Sequence, residues 1–205
     1  VATKMGYNVK WVGPLPIARM DLYLKEGAID GHAQEIKLPI FEEYLYFPNK
    51  HYHLARPVFV VGSENKLVKI ASIDDVRGYR IGWLDSIPTS KFVTENMSDF
   101  RIELIDTGDL KWTRYLKMLQ LNRVDAIHEL NEFTIAFEAG KRGIQDQIKT
   151  LLLPEPPIPI YMVFAKKSAK GKMLIEKYNT VLGDMDFDHE DYKKLIQKEM
   201  LNFKK

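Results

Sequence analysis

One short run of the chain concentrates polar side chains between an apolar segment and a helix signal. Its members are Asp85, Ser86, Thr89 and Ser90. Open α/β sheets bind ligands where the carboxyl end of a strand meets the start of a helix, because free N–H groups there attract anions. A helix cap also uses these residue types, although a cap needs only one of them. The run therefore predicts either a ligand-binding turn or a helix cap.

Two charged residues have the chemistry to bind the ends of a zwitterion. Arg19 stands at the start of a predicted helix, and only a guanidinium offers a planar fork that bonds a carboxylate twice. Glu129 follows a short predicted strand at the sheet edge of the second half of the fold, and its carboxylate could bind an ammonium group. Each could instead be a solvated surface charge, so residue type alone leaves both alternatives open.

Aromatic, histidine and amide side chains complete the set of binding candidates. Aromatic rings could hold an apolar or cationic ligand between them. Tyr46 and Trp83 are chosen here, because other aromatics at strand positions are more often part of a core. His32 lies near a predicted pocket in sequence, and Gln34 follows it two residues later. These four residues are predicted to bind the ligand.

The sequence contains no pattern that supports a metal site or a catalytic site. His51 and His53 would share one face of a strand, but a zinc site needs a third ligand that the sequence does not identify. The run from His128 lacks the second histidine of an HExxH motif, and GxSxG, P-loop and GxGxxG motifs are absent from the 205 residues. The carboxylates that could pair for acid–base work are Glu35, Glu42 and Asp85. The sequence therefore predicts no metal, no cofactor and no enzyme.

The elements that must position these residues alternate between strands and helices. A helix begins near Pro16, buries Ile17, Met20 and Leu24 at the spacing of one helix face, and ends at Gly27. The other predicted helices cover 91–97, 109–121, 131–139, 169–182 and 189–203, with a further helix start at Ser72. The predicted strands cover 7–12, 28–33, 58–61, 77–84, 101–105, 126–127 and 160–165, and 148–153 leads into a proline-rich segment. This alternation predicts a parallel α/β architecture.

Two extended segments divide the chain. Leu45–Gly62 passes a turn signal and enters an apolar strand, and the proline-rich segment 151–165 lies about a hundred residues later. They predict two α/β lobes joined by two crossing strands, with a ligand in the cleft between them. Lobe one would contain 1–57 and 158–205 and lobe two 58–157, with crossings near 54–60 and 153–160.

Composition excludes several classes of protein. A net charge of +2 and the lack of a basic stripe give no indication of nucleic-acid binding. No apolar run approaches the ~20 residues that a membrane span needs. A signal-peptide pattern is also absent, and Val1 is not a natural start. We expect a monomer with a small-molecule partner.

Four short motifs occur in an order that carries a family resemblance. They are Gly27–Gly31, Tyr46–Pro48, Ile73–Gly82 and Leu121–Ala126. With these motifs the chain resembles the family 3 extracytoplasmic solute-binding proteins, which bind polar amino acids for ABC import. The resemblance implies the type II periplasmic-binding-protein fold, closure by hinge bending and a periplasmic or extracellular location. It also implies an ABC permease partner and a first strand of lobe one upstream of Val1.

The chain departs from the family pattern at the ligand site. Family members carry a carboxylate-binding arginine shortly before the Tyr46 motif, whereas residues 32–43 contain none; Arg19 is the candidate replacement. Asp85–Thr89 stands in place of a Gly-Ser-Thr turn, and Glu129 stands in place of an amine-binding aspartate.

The predicted function is the capture of a small polar or amino-acid-like ligand for ABC-type import. Two alternatives stay open: a ligand-sensing domain of a signalling receptor, and a cyclohexadienyl-dehydratase-like enzyme.

Overall fold

The computed structural model describes residues 1–13, 15–84, 88–105 and 111–184, together with 192, 194–196 and 198. Asp85 and Ser86 of the predicted site lie outside the described residues, as does most of the helix predicted over 189–203. The chain divides into two compact units. Unit 1 contains Val1–Leu54 and Pro159–Lys193, and unit 2 contains Ala55–Ile158 and Lys194–Lys205.

The helices and strands follow one another in an α/β order along the described residues. They are α1 (Ile17–Glu26), β1 (Gly31–Ile36), α2 (Pro39–Glu42), β2 (Leu45–Tyr46), β3 (His53–Ala55), β4 (Val58–Gly62), β5 (Arg80–Leu84), α3 (Lys91–Glu95), β6 (Arg101–Ile105), α4 (Lys111–Gln120), β7 (Ala126–Glu129), α5 (Glu132–Gly140), β8 (Ile148–Leu152), β9 (Ile158–Ala165) and α6 (Gly171–Gly183). Short 3-10 turns lie at Ile73–Asp75, Met97–Asp99 and Gln145–Gln147.

Unit 1 is built around β9, which pairs with β1, β2 and β3. The pairings of β1 and β2 with β9 are antiparallel. On one side of this sheet α6 buries Leu174, Tyr178 and Leu182 against Phe164. The other side packs Leu24 of α1 against strand residues such as Leu45. The prediction of parallel strands is therefore wrong for these pairs, because β9 returns late in the chain to lie between earlier strands.

Helix α1 forms where the local sequence pattern predicts a helix. Of the predicted face, Leu24 is buried, whereas Ile17 and Met20 are only half-buried. The helix ends at Gly27, whose φ of 73° is left-handed. A Cβ at Gly27 would also lie 2.4 Å from the backbone carbon of Lys167. The position therefore requires glycine for both its conformation and its space.

Unit 2 contains a five-stranded sheet in the order β6-β5-β7-β4-β8. Strand β5 is parallel to β6 and to β7, whereas β4 is antiparallel to β7 and to β8. Helices α4 and α5 cover one face, where Tyr115 and Leu116 are buried against Ile127. The other face packs Phe59 and Phe92 into a second core. On α4, which falls within the helix predicted over 109–121, Leu116 and Leu119 are both buried.

The strand predicted over 7–12 is wrong. Residues 7–12 form no strand in the structure, and Val9, Trp11 and Val12 are each more than half exposed. An alternating pattern stabilises a strand only when a neighbouring strand supplies hydrogen bonds and apolar cover. No such neighbour pairs with this segment among the described residues.

Candidate functional site

Several strand ends of unit 2 share one edge of its sheet. Strands β5, β6 and β7 run in the same direction, and β8 also does, because both β7 and β8 are antiparallel to β4. Val58 at the start of β4 pairs with Glu129 of β7 on one side and with Leu152 of β8 on the other. The carboxyl ends of four strands therefore meet the start of β4 at this edge, which we call the carboxyl edge.

Three glutamates bind backbone N–H groups at the carboxyl edge. Oε2 of Glu155 accepts a hydrogen bond from the N–H of Phe92 at 2.6 Å. Glu129 Oε1 accepts from the N–H of Leu130 at 2.8 Å. Glu132 Oε2 accepts from the N–H of Arg56 at 2.7 Å. The chain thus uses its own carboxylates to satisfy amides that start α3, follow β7 and precede β4.

Two side chains bond the N–H groups in the first turn of helix α3. Ser90 is buried, and its hydroxyl accepts a hydrogen bond from the N–H of Val93 at 3.4 Å. The predicted capping role of the 85–90 run is therefore confirmed at Ser90. Since Glu155 binds the N–H of Phe92, two amides of the first turn already have partners within the chain.

Three buried polar atoms near this edge have no hydrogen-bond partner among the residues that the structure describes. They are Oγ1 of Thr89, Oε1 of Glu155 and Nε2 of His128. His128 is only 3% exposed, and burial lowers the pKa of its imidazole to about 3. The ring is therefore neutral at pH 7. Polar atoms buried in this way are normally paired, so these three indicate a place where a bound molecule would supply hydrogen bonds.

On one face of the sheet, the ring of Phe59 packs against two other rings. The centroid of Phe59 lies 6.2 Å from that of His128 and 6.4 Å from that of Phe92. Phe92 in turn donates its N–H to Glu155, and Thr89 precedes the Ser90 cap of the same helix. Phe59 therefore packs against the rings of both His128 and Phe92, and Glu155 bonds the backbone of Phe92.

Glu129 occupies a more central place than the sequence indicated. It is the last residue of β7, and β7 is the middle strand of the five rather than an edge strand. Its side chain is only 8% exposed. Burial, and then the charge of Glu129, raise the pKa of the Tyr115 hydroxyl. Glu129 is thus a buried carboxylate at the centre of the carboxyl edge, and its contact with a ligand stays a prediction.

Trp83 lies near the carboxyl end of β5. It is half-buried and pairs in parallel register with Leu104 of β6. Ile81, two residues earlier on the same strand, is buried in the core that contains Phe59. Because side chains alternate along a strand, Trp83 shares the sheet face of Ile81. This is also the face on which His128 and Phe92 lie.

The candidate ligand-binding residues of unit 1 lie on α1, β1 and β2. Arg19 is exposed in the first turn of α1, and its guanidinium forms no ion pair with any described residue. His32 and Gln34 lie on β1, where the register with β9 shifts between His32 and Glu35. The shift is consistent with the hydrogen bond of 2.7 Å that the Tyr52 hydroxyl donates to the carbonyl oxygen of Ala33.

His32 and Gln34 differ in their surroundings. Nδ1 of His32 lies 3.7 Å from Oε2 of Glu35 and has no hydrogen bond, whereas Gln34 is exposed. Tyr46 pairs with Phe164 of β9, and its ring lies 5.7 Å from Nζ of Lys166. Tyr46 also packs against the α6 core. Its ring therefore has structural contacts already, and a ligand contact stays a prediction.

Sequence reasoning missed Glu155, Glu132 and His128. Glu155 follows Pro154 in the proline-rich segment, and a lone carboxylate between prolines was the available signal. Its partner Phe92 lies 63 residues earlier in the chain, so no local pattern could connect them. His128 was considered only as part of a zinc motif, whereas the structure makes it a buried neutral group.

Neither metal-binding nor membrane-spanning features emerge from the described parts of the chain. Residues 1–13, 15–84, 88–105 and 111–184 contain no group of three metal-ligating side chains close enough to share an ion. Across the same ranges, every helix is too short or too polar to cross a bilayer.

Comparisons with known proteins find similarity in structure alone. No protein-family model and no curated protein matches the chain. The periplasmic VFT2 domain of Bordetella pertussis BvgS has a TM-score of 0.72 at 14% identity, over 94% of this chain and 77% of that one. AbpA of Streptococcus pneumoniae, an amino acid ABC transporter substrate-binding protein bound to L-arginine, has a TM-score of 0.72 at 14% identity, over 98% and 80%.

An ancestral arginine-binding protein bound to arginine is similar to the same degree. Its TM-score is 0.70 at 22% identity, over 96% of this chain and 82% of that chain. Similarity at this level of identity establishes the fold. The chain has the type II periplasmic-binding-protein fold, also called a Venus flytrap, as the family resemblance implied.

Proposed function

We propose that this chain is an extracytoplasmic binding protein that captures a small polar or amino-acid-like molecule and performs no chemistry on it. The observation that carries the proposal is the set of buried, unpartnered polar atoms at the carboxyl edge of unit 2. They lie where open α/β sheets bind ligands. The fold supports the same reading, because two of the similar solved structures named above are binding proteins.

Delivery of the ligand to an ABC importer is the first role we propose. Two of the similar structures are an ABC transporter substrate-binding protein and an arginine-binding protein. An importer role predicts that the loaded protein stimulates the ATPase activity of a cognate permease in proteoliposomes. A variant that cannot bind the ligand should give no stimulation.

Ligand sensing is the second candidate role. It is favoured by the equally high TM-score of 0.72 for the BvgS VFT2 domain. The natural reading frame distinguishes the two roles. A transmembrane helix and a signalling domain encoded after Lys205 would support sensing, whereas a permease gene beside a free-standing binding protein would support import.

A thermal-shift screen tests the proposed function. Purified protein is heated with amino acids, amines and small carboxylates in turn. A ligand at 100 times its Kd stabilises the folded state by about 2.7 kcal/mol, which should raise the Tm of a chain of this size by roughly 5–11 °C. If no compound in the screen raises the Tm, the proposal fails.

Turnover separates binding from catalysis. Each stabilising compound is incubated with the protein and then recovered by denaturation and analysed by mass spectrometry. We expect the compound to be recovered unchanged and in stoichiometric amount. Conversion of the compound would instead support the dehydratase-like alternative.

A further inference from the structure

We propose that the carboxyl edge of the unit 2 sheet binds a cationic group of the ligand, an ammonium or a guanidinium, through Oε1 of Glu155 and Oγ1 of Thr89. This inference rests on the proposed function and names the chemical class of its ligand. It differs from anion binding, which the start of a helix at a strand end would otherwise suggest.

The first step concerns the backbone amides. In the first turn of α3, the N–H of Phe92 donates to Glu155 at 2.6 Å and that of Val93 donates to Ser90 at 3.4 Å. The N–H of Leu130 donates to Glu129 in the same way. An anionic ligand would have to displace the chain's own carboxylates to reach these donors. Among the described residues of the edge, these three donors are therefore not free to bind an anion.

The second step concerns the acceptors that are left over. The Glu155 carboxylate has one oxygen bound to Phe92, whereas the other, Oε1, is buried and has no partner among the described residues. Within the same part of the chain, Oγ1 of Thr89 is also buried without a partner. A buried carboxylate oxygen that lacks a donor is costly. A ligand N–H would remove that cost, and a cation would do so most strongly because its hydrogen bond is charge-assisted.

His128 supplies an independent indication of a ligand at this place. Its ring is 3% exposed and lies 6.2 Å from the ring of Phe59, and its Nε2 has no partner among the described residues. Burial keeps the ring neutral, because it lowers the pKa of His128 to about 3. A neutral imidazole nitrogen can accept a hydrogen bond. The site therefore contains a third potential acceptor and no added positive charge.

The third step is the charge balance of the edge. Glu129, Glu132 and Glu155 all place carboxylates there, as their backbone hydrogen bonds show. Of the basic residues near them, Lys91 is exposed and lies 3.7 Å from Glu95, and Arg56 is exposed. A second anion would be repelled by like charges in a partly buried place, whereas a cation would be attracted.

The test uses compounds of equal length and opposite charge. Putrescine is compared with succinate, cadaverine with glutarate, and L-lysine and agmatine are added as cations that carry other groups. Calorimetric titration measures the affinity of each for the intact protein. We expect binding by at least one cation and by neither dicarboxylate. Tighter binding of succinate or glutarate than of every cation would overturn the proposal.

Two variants then assign the binding to these residues. Glu155→Gln keeps an oxygen for the N–H of Phe92 but removes the charge, and Thr89→Val removes Oγ1 with little change in shape. We expect each to weaken cation binding by about 10-fold or more. The matched control is Glu95→Gln, an exposed carboxylate later in α3, which should leave the affinity unchanged.

The outcomes separate this inference from the proposed function. If no compound of any class binds, the proposed function fails and this inference fails with it. If a ligand binds but both Glu155→Gln and Thr89→Val bind it as tightly as the control does, only the inference is wrong. Because Thr89→Val does not alter a charge, it decides the matter even if Glu155→Gln folds poorly.

Discussion

Glu155 binds the start of α3 by accepting a hydrogen bond from the N–H of Phe92 at 2.6 Å. The two residues come from segments 63 positions apart, and their hydrogen bond joins the proline-rich segment after β8 to the helix that follows β5. This one contact has a structural role and, through the second carboxylate oxygen, the binding role proposed above.

The structural role predicts a graded response to substitution. Glu155→Ala leaves the N–H of Phe92 without its partner and should lower the free energy of unfolding by about 1–3 kcal/mol. Glu155→Gln retains an acceptor oxygen and should lower it much less. Urea denaturation measures both values. Equal losses in the two variants would contradict the hydrogen-bonding account.

His128 predicts a pH dependence of stability. Burial lowers its pKa from the ordinary value of 6.5 to about 3, so between these values the unfolded chain binds a proton that the folded protein does not. Stability should therefore fall as the pH falls below 6.5, by at most about 1.4 kcal/mol per pH unit from this group. Urea denaturation at pH 7 and at pH 5 measures the slope.

The contribution of His128 to that slope is isolated by a variant and a control. His128→Gln removes the titrating group and should flatten the slope between pH 7 and pH 5. His51→Gln removes an exposed histidine and should leave the slope as it is. The assignment is wrong if the wild type and His128→Gln show the same slope.

Gly171 at the start of α6 predicts a steric effect. A Cβ at this position would lie 1.9 Å from the carbonyl oxygen of Ala165, which is the last residue of β9. Gly171→Ala should therefore lower the free energy of unfolding by about 1–3 kcal/mol. Gly183 at the other end of α6 has open space around it, so Gly183→Ala should leave stability unchanged or raise it. Thermal unfolding of both variants compares them, and similar losses would contradict the close approach of α6 to β9.

The ion pair between Arg80 and Asp125 predicts a salt-sensitive contribution. Asp125 accepts from Nε of Arg80 at 3.0 Å, from Nη2 at 2.7 Å and from its backbone N–H at 2.8 Å. These hydrogen bonds with Arg80 hold the pKa of Asp125 below its usual value. Asp125→Asn should lower the Tm at low salt and lower it less at high salt, because salt screens half-exposed charges. Exposed Asp146 serves as the control, and Asp146→Asn should not change the Tm.

Local sequence patterns predicted the helices and strands that depend mainly on local interactions. Strand β6 was predicted with the bounds that the structure has, and α1 ends at Gly27 as its spacing indicated. Patterns failed where long-range partners decide the outcome. Alternation over 7–12 predicted a strand that has no neighbour to pair with, and no local signal revealed that β9 would run antiparallel to β1 and β2.

The candidate site follows the same division. Thr89 and Glu129 could be proposed from the strand ends that precede them in the sequence. Glu155 and His128 could not, since their importance comes from partners that only folding brings near: Phe92 for the one and the ring of Phe59 for the other. A strand-end pattern therefore indicates where a site lies but not which distant residues complete it.

Glu129 tests how far the predicted site extends. As a buried carboxylate at the end of the middle strand, it should contribute to cation binding, so Glu129→Gln should weaken the affinity found in the titrations. Trp83→Ala should also weaken it without unfolding the protein. Glu103→Gln, on exposed β6, is the control. Unchanged affinity in both Glu129→Gln and Trp83→Ala would place the ligand away from the middle of the sheet.

A crystal structure with the tightest cationic ligand is the most direct test of the account. We predict that a ligand nitrogen lies within hydrogen-bonding distance of Oε1 of Glu155 and Oγ1 of Thr89, while Oε2 of Glu155 still accepts from the N–H of Phe92. A ligand bound with its cationic group away from both atoms, or with a carboxylate on the N–H of Phe92 in place of Glu155, would contradict it.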